Sequence, residues 1–221
     1  MENIQPTERT KVVRHRERGQ YGRDTVNAIL DEALICHVGY TLEGQPYVVP
    51  TTHARIGDRL YLHGAMANRM LRTMKTGIPV CVTVTLLDGL VLARSAMNHS
   101  MNYRSAFILG IAREVSEEKE KRAALDALVN HVVRGRAAEI RPPSPLELRT
   151  TIVLCLQIAE ASAKVREGPP IDDEEDYALA FWAGVLPLTL VPGSPIEDPR
   201  LAAGAHVPEN IAAYARPGWR R

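Results

Sequence analysis

Two rhythms of apolar residues run along the chain. Short, alternating, β-branched runs predict strands, and a few stretches with apolar residues three and four apart predict helices. Val26, Ile29, Leu30 and Ala33 fit a helix over residues 24–33 with Asp24 as its N-cap. Strands follow over 34–40, turned back at Glu43-Gly44, over 47–55, and over 59–63 after a reversal at Gly57-Asp58. A helix from about Asn68 buries Met70, Leu71 and Met74 and stops at Gly77. The run 80–87 closes at Asp88-Gly89, and 90–95 pairs back as the second arm of a hairpin. Another strand, 106–115, ends at Ser116, which caps a helix with Leu125, Leu128, Val129 and Val132 on one face. Ser144-Pro145-Leu146-Glu147 has the form of a capping box with proline at the first helical position, and 151–161 reads as the last long strand.

Six or seven strands joined mostly by hairpins, with helices at the rim, describe a mainly β chain with α additions, an antiparallel β-barrel. Strands and helices do not alternate regularly, and neither GxGxxG nor GxxxxGK[ST] occurs, which argues against a parallel nucleotide-binding sheet. The economical division is an N-terminal arm over 1–23, one folded domain over 24–190 and an extended tail rich in Pro, Gly and Ala over 191–221.

Composition narrows the classes. With 27 basic and 26 acidic residues the net charge is +1, so bulk electrostatics make no case for nucleic acid or a membrane surface. The locally basic arm (Arg9, Lys11, Arg14, Arg16, Arg18) is diluted by Glu8 and Glu17 and reads as an arm packing on a partner subunit or on its own barrel. No apolar run approaches the ~20 residues that span a bilayer. The polar N-terminal stretch lacks the apolar core of a secretion signal, so the expected location is cytoplasmic. Cys36, Cys81 and Cys155 sit singly in apolar runs and read as reduced core residues.

Candidate chemistry is concentrated in a few places. The corner His63-Gly64-Ala65 leads a strand into a helix, where free backbone N–H groups and Arg69 offer an anion site; an ordinary corner that binds nothing has the same local sequence. None of the seven histidines has zinc-ligand spacing, and no serine or cysteine has the surroundings of a nucleophile. The segment 95–105, SAMNHSMNYRS, is polar between two apolar strands and reads either as a site-lining loop or as a solvated one. Trp182 is either a core residue or a stacking partner for a planar ligand, and the acidic run 172–176 reads as a solvated loop.

In order along the chain, VVPTTHAR, DRLYLHGAMANRML, VCVTVTLLDGLVLARSAMNHSMNYRSAFILGIAREV, EKEKRAALDALVNHVV, SAKVREGPP and FWAGVLPL resemble the pyridoxamine 5′-phosphate oxidase-like family of flavin-nucleotide-binding proteins, in the branch that includes the nitroimidazole-resistance proteins. The resemblance spans about 31–190. It implies a six-stranded split barrel and a homodimer with FMN at the subunit interface. By the same likeness Pro50, Thr51, Thr52 and His53 lie beside the flavin ring and ribityl chain, and His63, Gly64, Asn68 and Arg69 form the phosphate corner. Thr83 and Thr85 flank the ring, while Asn102, Tyr103, Arg104, Ser105 and Trp182 complete the cofactor site. Two features depart from the oxidases. Residues 185–190 lack the arginine- and histidine-bearing segment that grips pyridoxamine phosphate, and Met70 stands where those oxidases carry a basic residue. The expected activity is therefore a flavin-dependent oxidoreductase acting on another small molecule, with His53 as a group near the reactive ring. A flavin carrier or redox sensor without turnover is the alternative, as is a haem- or deazaflavin-binding member of the superfamily.

Overall fold

A computed structural model describes residues 3–216. In chain order the elements are β1 (Gly19–Gln20), α1 (Arg23–Glu32), β2 (Ile35–Leu42), β3 (Gln45–Thr52), β4 (Ala54–Ile56), β5 (Arg59–Ala65), α2 (Arg69–Met74), β6 (Pro79–Leu92), β7 (Ser100–Ile111), β8 (Arg113–Glu114), α3 (Glu118–Val132), α4 (Pro145–Thr150), β9 (Thr151–Gln157), β10 (Glu160–Arg166), β11 (Gly184–Pro187) and α5 (Glu209–Ala212). The larger sheet runs β1-β10-β7-β6-β2-β3, with β11 also on β6, and the smaller runs β4-β5-β9-β8. The chain crosses from one sheet to the other four times: at His53 between β3 and β4, through α2 between β5 and β6, at Ala112 between β7 and β8, and at Ile158-Ala159 between β9 and β10. These crossings make the two sheets one antiparallel split barrel, as expected, although its strands number eleven rather than six.

Alternation places the core. Cys36, Val38 and Tyr40 of β2, Val80, Val82 and Val84 of β6, and Ala106 and Ile108 of β7 point inward. Helix α1 adds Val26, Ile29 and Leu30, and α2 adds Met70, Leu71 and Met74. A smaller cluster under α3 joins Tyr61, Val115, Ala124, Val153 and Cys155. Among the described residues no helix is long and apolar enough to cross a membrane.

Several expected boundaries move, each for a physical reason. Asp88-Gly89 does not turn the chain. β6 passes through it with a register shift and pairs with β7, so the reversal falls at the 3-10 turn Ala96–Asn98. Gly89 is needed for close approach instead, since a Cβ there would meet the Leu186 carbonyl oxygen and Val185 Cγ1 of β11, both at 3.1 Å. Asp24 lies inside the first turn of α1, behind Gly22 as cap. The cap of α3 is Glu117, not Ser116, because its carboxylate takes two amides, those of Lys119 and Glu120. Residues 151–161 are two strands, β9 and β10, in different sheets. The Ser144–Glu147 capping box forms as predicted.

The two chain ends pack on the same body. Ile4 is buried, Arg9 and Thr7 bond Glu160, and β1 pairs with β10. Far down the tail, Arg216 is 8% exposed and donates to the carbonyls of Asp31, Glu32 and His131, so the tail is not extended throughout. Residues 217–221 lie outside the described residues.

Candidate functional site

Strand register decides which predicted residues meet. Pro50 is opposite His37, His37 opposite Thr83, and Thr83 opposite Phe107, which makes one row across four strands. A second row pairs Thr85 with Ser105 and Ser105 with Lys164, and Thr52 is opposite Ile35. Paired residues share a face, so Pro50, Thr52, Thr83, Thr85 and Ser105 stand together on the side of the larger sheet turned away from the core. Ile35, Val48, Leu87 and Ile111 share that face and are 40–70% open to solvent, at 52, 69, 45 and 59% respectively. Tyr103, opposite Leu87, belongs to it too. Thr51 falls on the other side, opposite buried Cys36.

Much of the polar segment 95–105 is strand rather than loop, and its residues divide by face. Asn102 and Arg104 are already engaged within the chain. Asn102 accepts from Arg166 and donates to the Gly168 carbonyl at 3.1 Å. Arg104 forks to Glu32 at 2.5 and 2.8 Å and to Asp88 at 2.7 and 3.0 Å, and both carboxylates hold its guanidinium firmly protonated. Together with Thr85, Glu167, Val185 and residues 187–190 they line a cleft of about 760 Å³. With Glu32, Asp88 and Glu167 against one arginine, this cleft is poorly suited to phosphate.

The corner after β5 is also divided. Asn68 caps α2 by accepting from the Leu71 amide at 3.1 Å, so one of the N–H groups that the corner offered is used internally. Gly64 serves packing, since a Cβ would come within 2.9 Å of Leu71 Cδ1. His63 does not face Arg69. It lines a separate cavity of about 400 Å³ with Leu125, Val129, Ile140 and Pro142, and its Nδ1 is buried without a partner. Burial lowers its pKa. Arg69 lies over the Tyr47 ring at 4.8 Å and, with Arg72, lines an open cleft of about 580 Å³ beside Thr73 and Thr76. The candidate phosphate corner is thus two guanidiniums on the exposed side of a short helix.

His53 is fully buried. Its Nε2–H donates to the Leu30 carbonyl at 2.9 Å, and its ring packs 4.8 Å from that of His131. Burial, then the neighbouring His131, pushes its pKa down to about 4. This position corrects its expected role, because a group with no exposed surface does not touch a ligand on the sheet face. Trp182 is 70% exposed and stands against Gly184, with 64% exposed Phe181 beside it, so it is no core residue. Asp172, read as part of a solvated loop, is buried and bonded to Arg94 through both the amide and the guanidinium at 3.0 Å. Among the described residues no group of three or more His, Cys, Asp or Glu could hold a metal ion.

Comparisons with known proteins agree with this fold. Over 96% of its length the chain is similar to the flavocytochrome Anf3 of Azotobacter vinelandii, at 43% identity and TM-score 0.90, covering 99% of that chain. The FAD and haem binding protein of Mycobacterium smegmatis aligns at 36% identity and TM-score 0.86, covering 90% of this chain and 98% of that one. A candidate 5-nitroimidazole antibiotic resistance protein of Bacteroides thetaiotaomicron aligns at 29% identity and TM-score 0.55, over 66% of this chain and 86% of that one. No curated protein matches. The family model described as pyridoxamine 5′-phosphate oxidase matches residues 22–165. On the strength of that span and of the 43% identity, the chain belongs to the pyridoxamine 5′-phosphate oxidase family.

Proposed function

We propose that the protein is a flavin-binding redox protein working as a homodimer, with the flavin ring on the outer face of the larger sheet. The observation that carries this reading is the gathering of Pro50, Thr52, Thr83, Thr85 and Ser105 on one open face among apolar Ile35, Val48 and Leu87. A flat ring with a polar edge needs that mixture of hydroxyls and apolar surface. The exposed apolar residues of the same face also support a second copy covering it. Two relatives with more than a third of their residues in common carry a flavin by name or by class, which weighs the same way.

Bound flavin supplies hydride or single-electron transfer. The chain's own contribution is position: the threonine and serine hydroxyls orient the ring edge, and Arg69 with Arg72 receives phosphate at the exposed cleft. FMN is the nucleotide that the motif likeness favours, and FAD is the form named in one relative. With 185–190 lacking basic residues, the substrate is a small molecule other than pyridoxamine phosphate. Three free cysteines support a reducing compartment, the cytoplasm.

Haem is a second cofactor reading, favoured by both named relatives and by histidines placed away from the flavin face.

The test is the visible spectrum of the purified chain, followed by chromatography of the nucleotide released by heat. No flavin bands, even after addition of FMN or FAD, overturns the proposal. Stopped-flow mixing with NADH or NADPH then separates an oxidoreductase, which is reduced, from a carrier or sensor. Light scattering of the purified chain reads the dimer.

A further inference from the structure

The N-terminal arm, the turn between β6 and β7, and the end of β10 enclose a cleft of about 560 Å³. Four cations line it, Arg14, Arg18, Lys164 and Arg166, against one carboxylate, Glu17. The whole chain has a net charge of only +1, so positive charge is gathered here rather than spread over the surface. Little in the chain answers it. Arg18 Nε lies 3.6 Å from the Glu17 carboxylate, and among the described residues neither Arg14 nor Lys164 has a salt bridge. Arg166 is 6% exposed. Its guanidinium donates to the Asn102 amide oxygen and to the carbonyls of Gly168 and Pro169, all neutral acceptors, and its Nε–H is buried with no partner. A buried guanidinium without a carboxylate costs the fold free energy, and an anion in the cleft offsets that cost.

Register sets the cleft beside the face assigned to the flavin ring. Lys164 is opposite Ser105 and Arg166 opposite Tyr103, so both cations extend the outer-face rows at the β10 edge of the larger sheet. Arg69 and Arg72, which receive the flavin phosphate in that reading, stand beside β2 and β3. Four strand spacings separate β10 from β3, about 19 Å. A flavin mononucleotide with its phosphate at Arg69 therefore leaves the second cationic cleft to another molecule. At the rim of that cleft Met97 and Ile171, 91% and 74% exposed, offer apolar surface to a flat base.

We propose that this cleft binds the diphosphate of a nucleotide other than the flavin, with Arg14, Arg18 and Lys164 on the phosphates and the base against Met97 and Ile171. The place of the site beside the ring rests on the flavin reading, whereas its phosphate chemistry does not.

The experiment is calorimetric titration of the purified full-length chain at low salt, with and without added FMN, using ADP, pyrophosphate and adenosine. ADP and pyrophosphate should bind, and adenosine should bind at least about tenfold more weakly. Arg14→Glu with Arg18→Glu should weaken ADP binding by about tenfold or more, and the milder Arg14→Ala should weaken it less, with far-UV circular dichroism reading the fold. Displacement of ADP by NADH assigns the cleft to a dinucleotide, and no displacement assigns it to a free nucleotide; both support the proposal. Four results overturn it: no binding of ADP or pyrophosphate, adenosine binding as well as ADP, unchanged ADP affinity in the folded charge-reversal variant, or loss of ADP binding when FAD replaces FMN, which would give the cleft to the flavin's own adenylate half. A chain that binds ADP but takes up no flavin loses the flavin reading and keeps this site, and the reverse result removes this site alone.

Discussion

Replacing Arg104 by methionine separates structure from ligand binding at a residue that the sequence assigns to the cofactor. Arg104 holds two carboxylates at once, and their surroundings differ. The Glu32 side chain is 8% exposed and the Asp88 side chain 34% exposed, so Asp88 can rehydrate when the guanidinium goes and Glu32 cannot. Removing one partner of a buried ion pair costs about 3–5 kcal/mol. With the Arg104 side chain itself 25% exposed, the lower end applies, about 3 kcal/mol, or a fall in Tm of roughly 6–12 °C for a chain of this size. Urea unfolding followed by far-UV circular dichroism reads the loss as a lower midpoint at unchanged slope. The double variant Arg104→Met, Glu32→Met removes both charges and should recover most of the loss. A single variant within about 1 kcal/mol of the parent, or a double variant no more stable than the single, refutes the reasoning.

Acid should weaken the fold in a defined window. The folded pKa of His53 is about 4, below the unfolded value of ~6.5, so the native state binds fewer protons. Its contribution, on the order of 3 kcal/mol, is complete above ~6.5 and lost as pH falls toward 4. Urea midpoints that stay flat between pH ~6.5 and ~5, above the carboxylate range, would contradict this, and His53→Phe should make the fall shallower, with buried His63 and His131 keeping a remainder. Gly110→Ala places a Cβ 2.7 Å from Leu156 Cδ1 and should cost about 1–3 kcal/mol, which thermal unfolding would show and Leu156→Val would partly relieve. Glu117→Ala should destabilise by about 0.5–2 kcal/mol while Ser116→Ala does nothing; equal effects would return the cap of α3 to Ser116.

The fold was legible wherever one residue's environment follows from its neighbours in sequence. Val80, Val82 and Val84 announce a strand, and Ser144 with Glu147 announces a cap, because alternation and capping are local. What stayed hidden depends on contacts far along the chain. Asp88-Gly89 carries a turn signal, and only the pairing of β11 shows why a strand runs through it. Arg104 looks available for a ligand until Glu32, seventy-two positions away, is seen to hold it. His53 sits where a residue beside the ring is expected, yet the crossing from β3 to β4 turns it inward toward α1. That Thr83 and Thr85 share a face was readable from alternation, whereas the division of 95–105 between two faces needed the register with β6.

β6 has one long edge with two tenants. β2 takes Val80–Thr83, and β11 takes Gly89–Leu92, while β7 fills the opposite edge. During synthesis the second half of that edge stays vacant until the ribosome has released the chain through Pro187. A nascent or truncated chain therefore exposes unpaired strand backbone flanked by Leu90 and Leu92, the surface on which chains add to one another and aggregate. The last strand is short, but it is the one that closes the sheet to its neighbours in the cell.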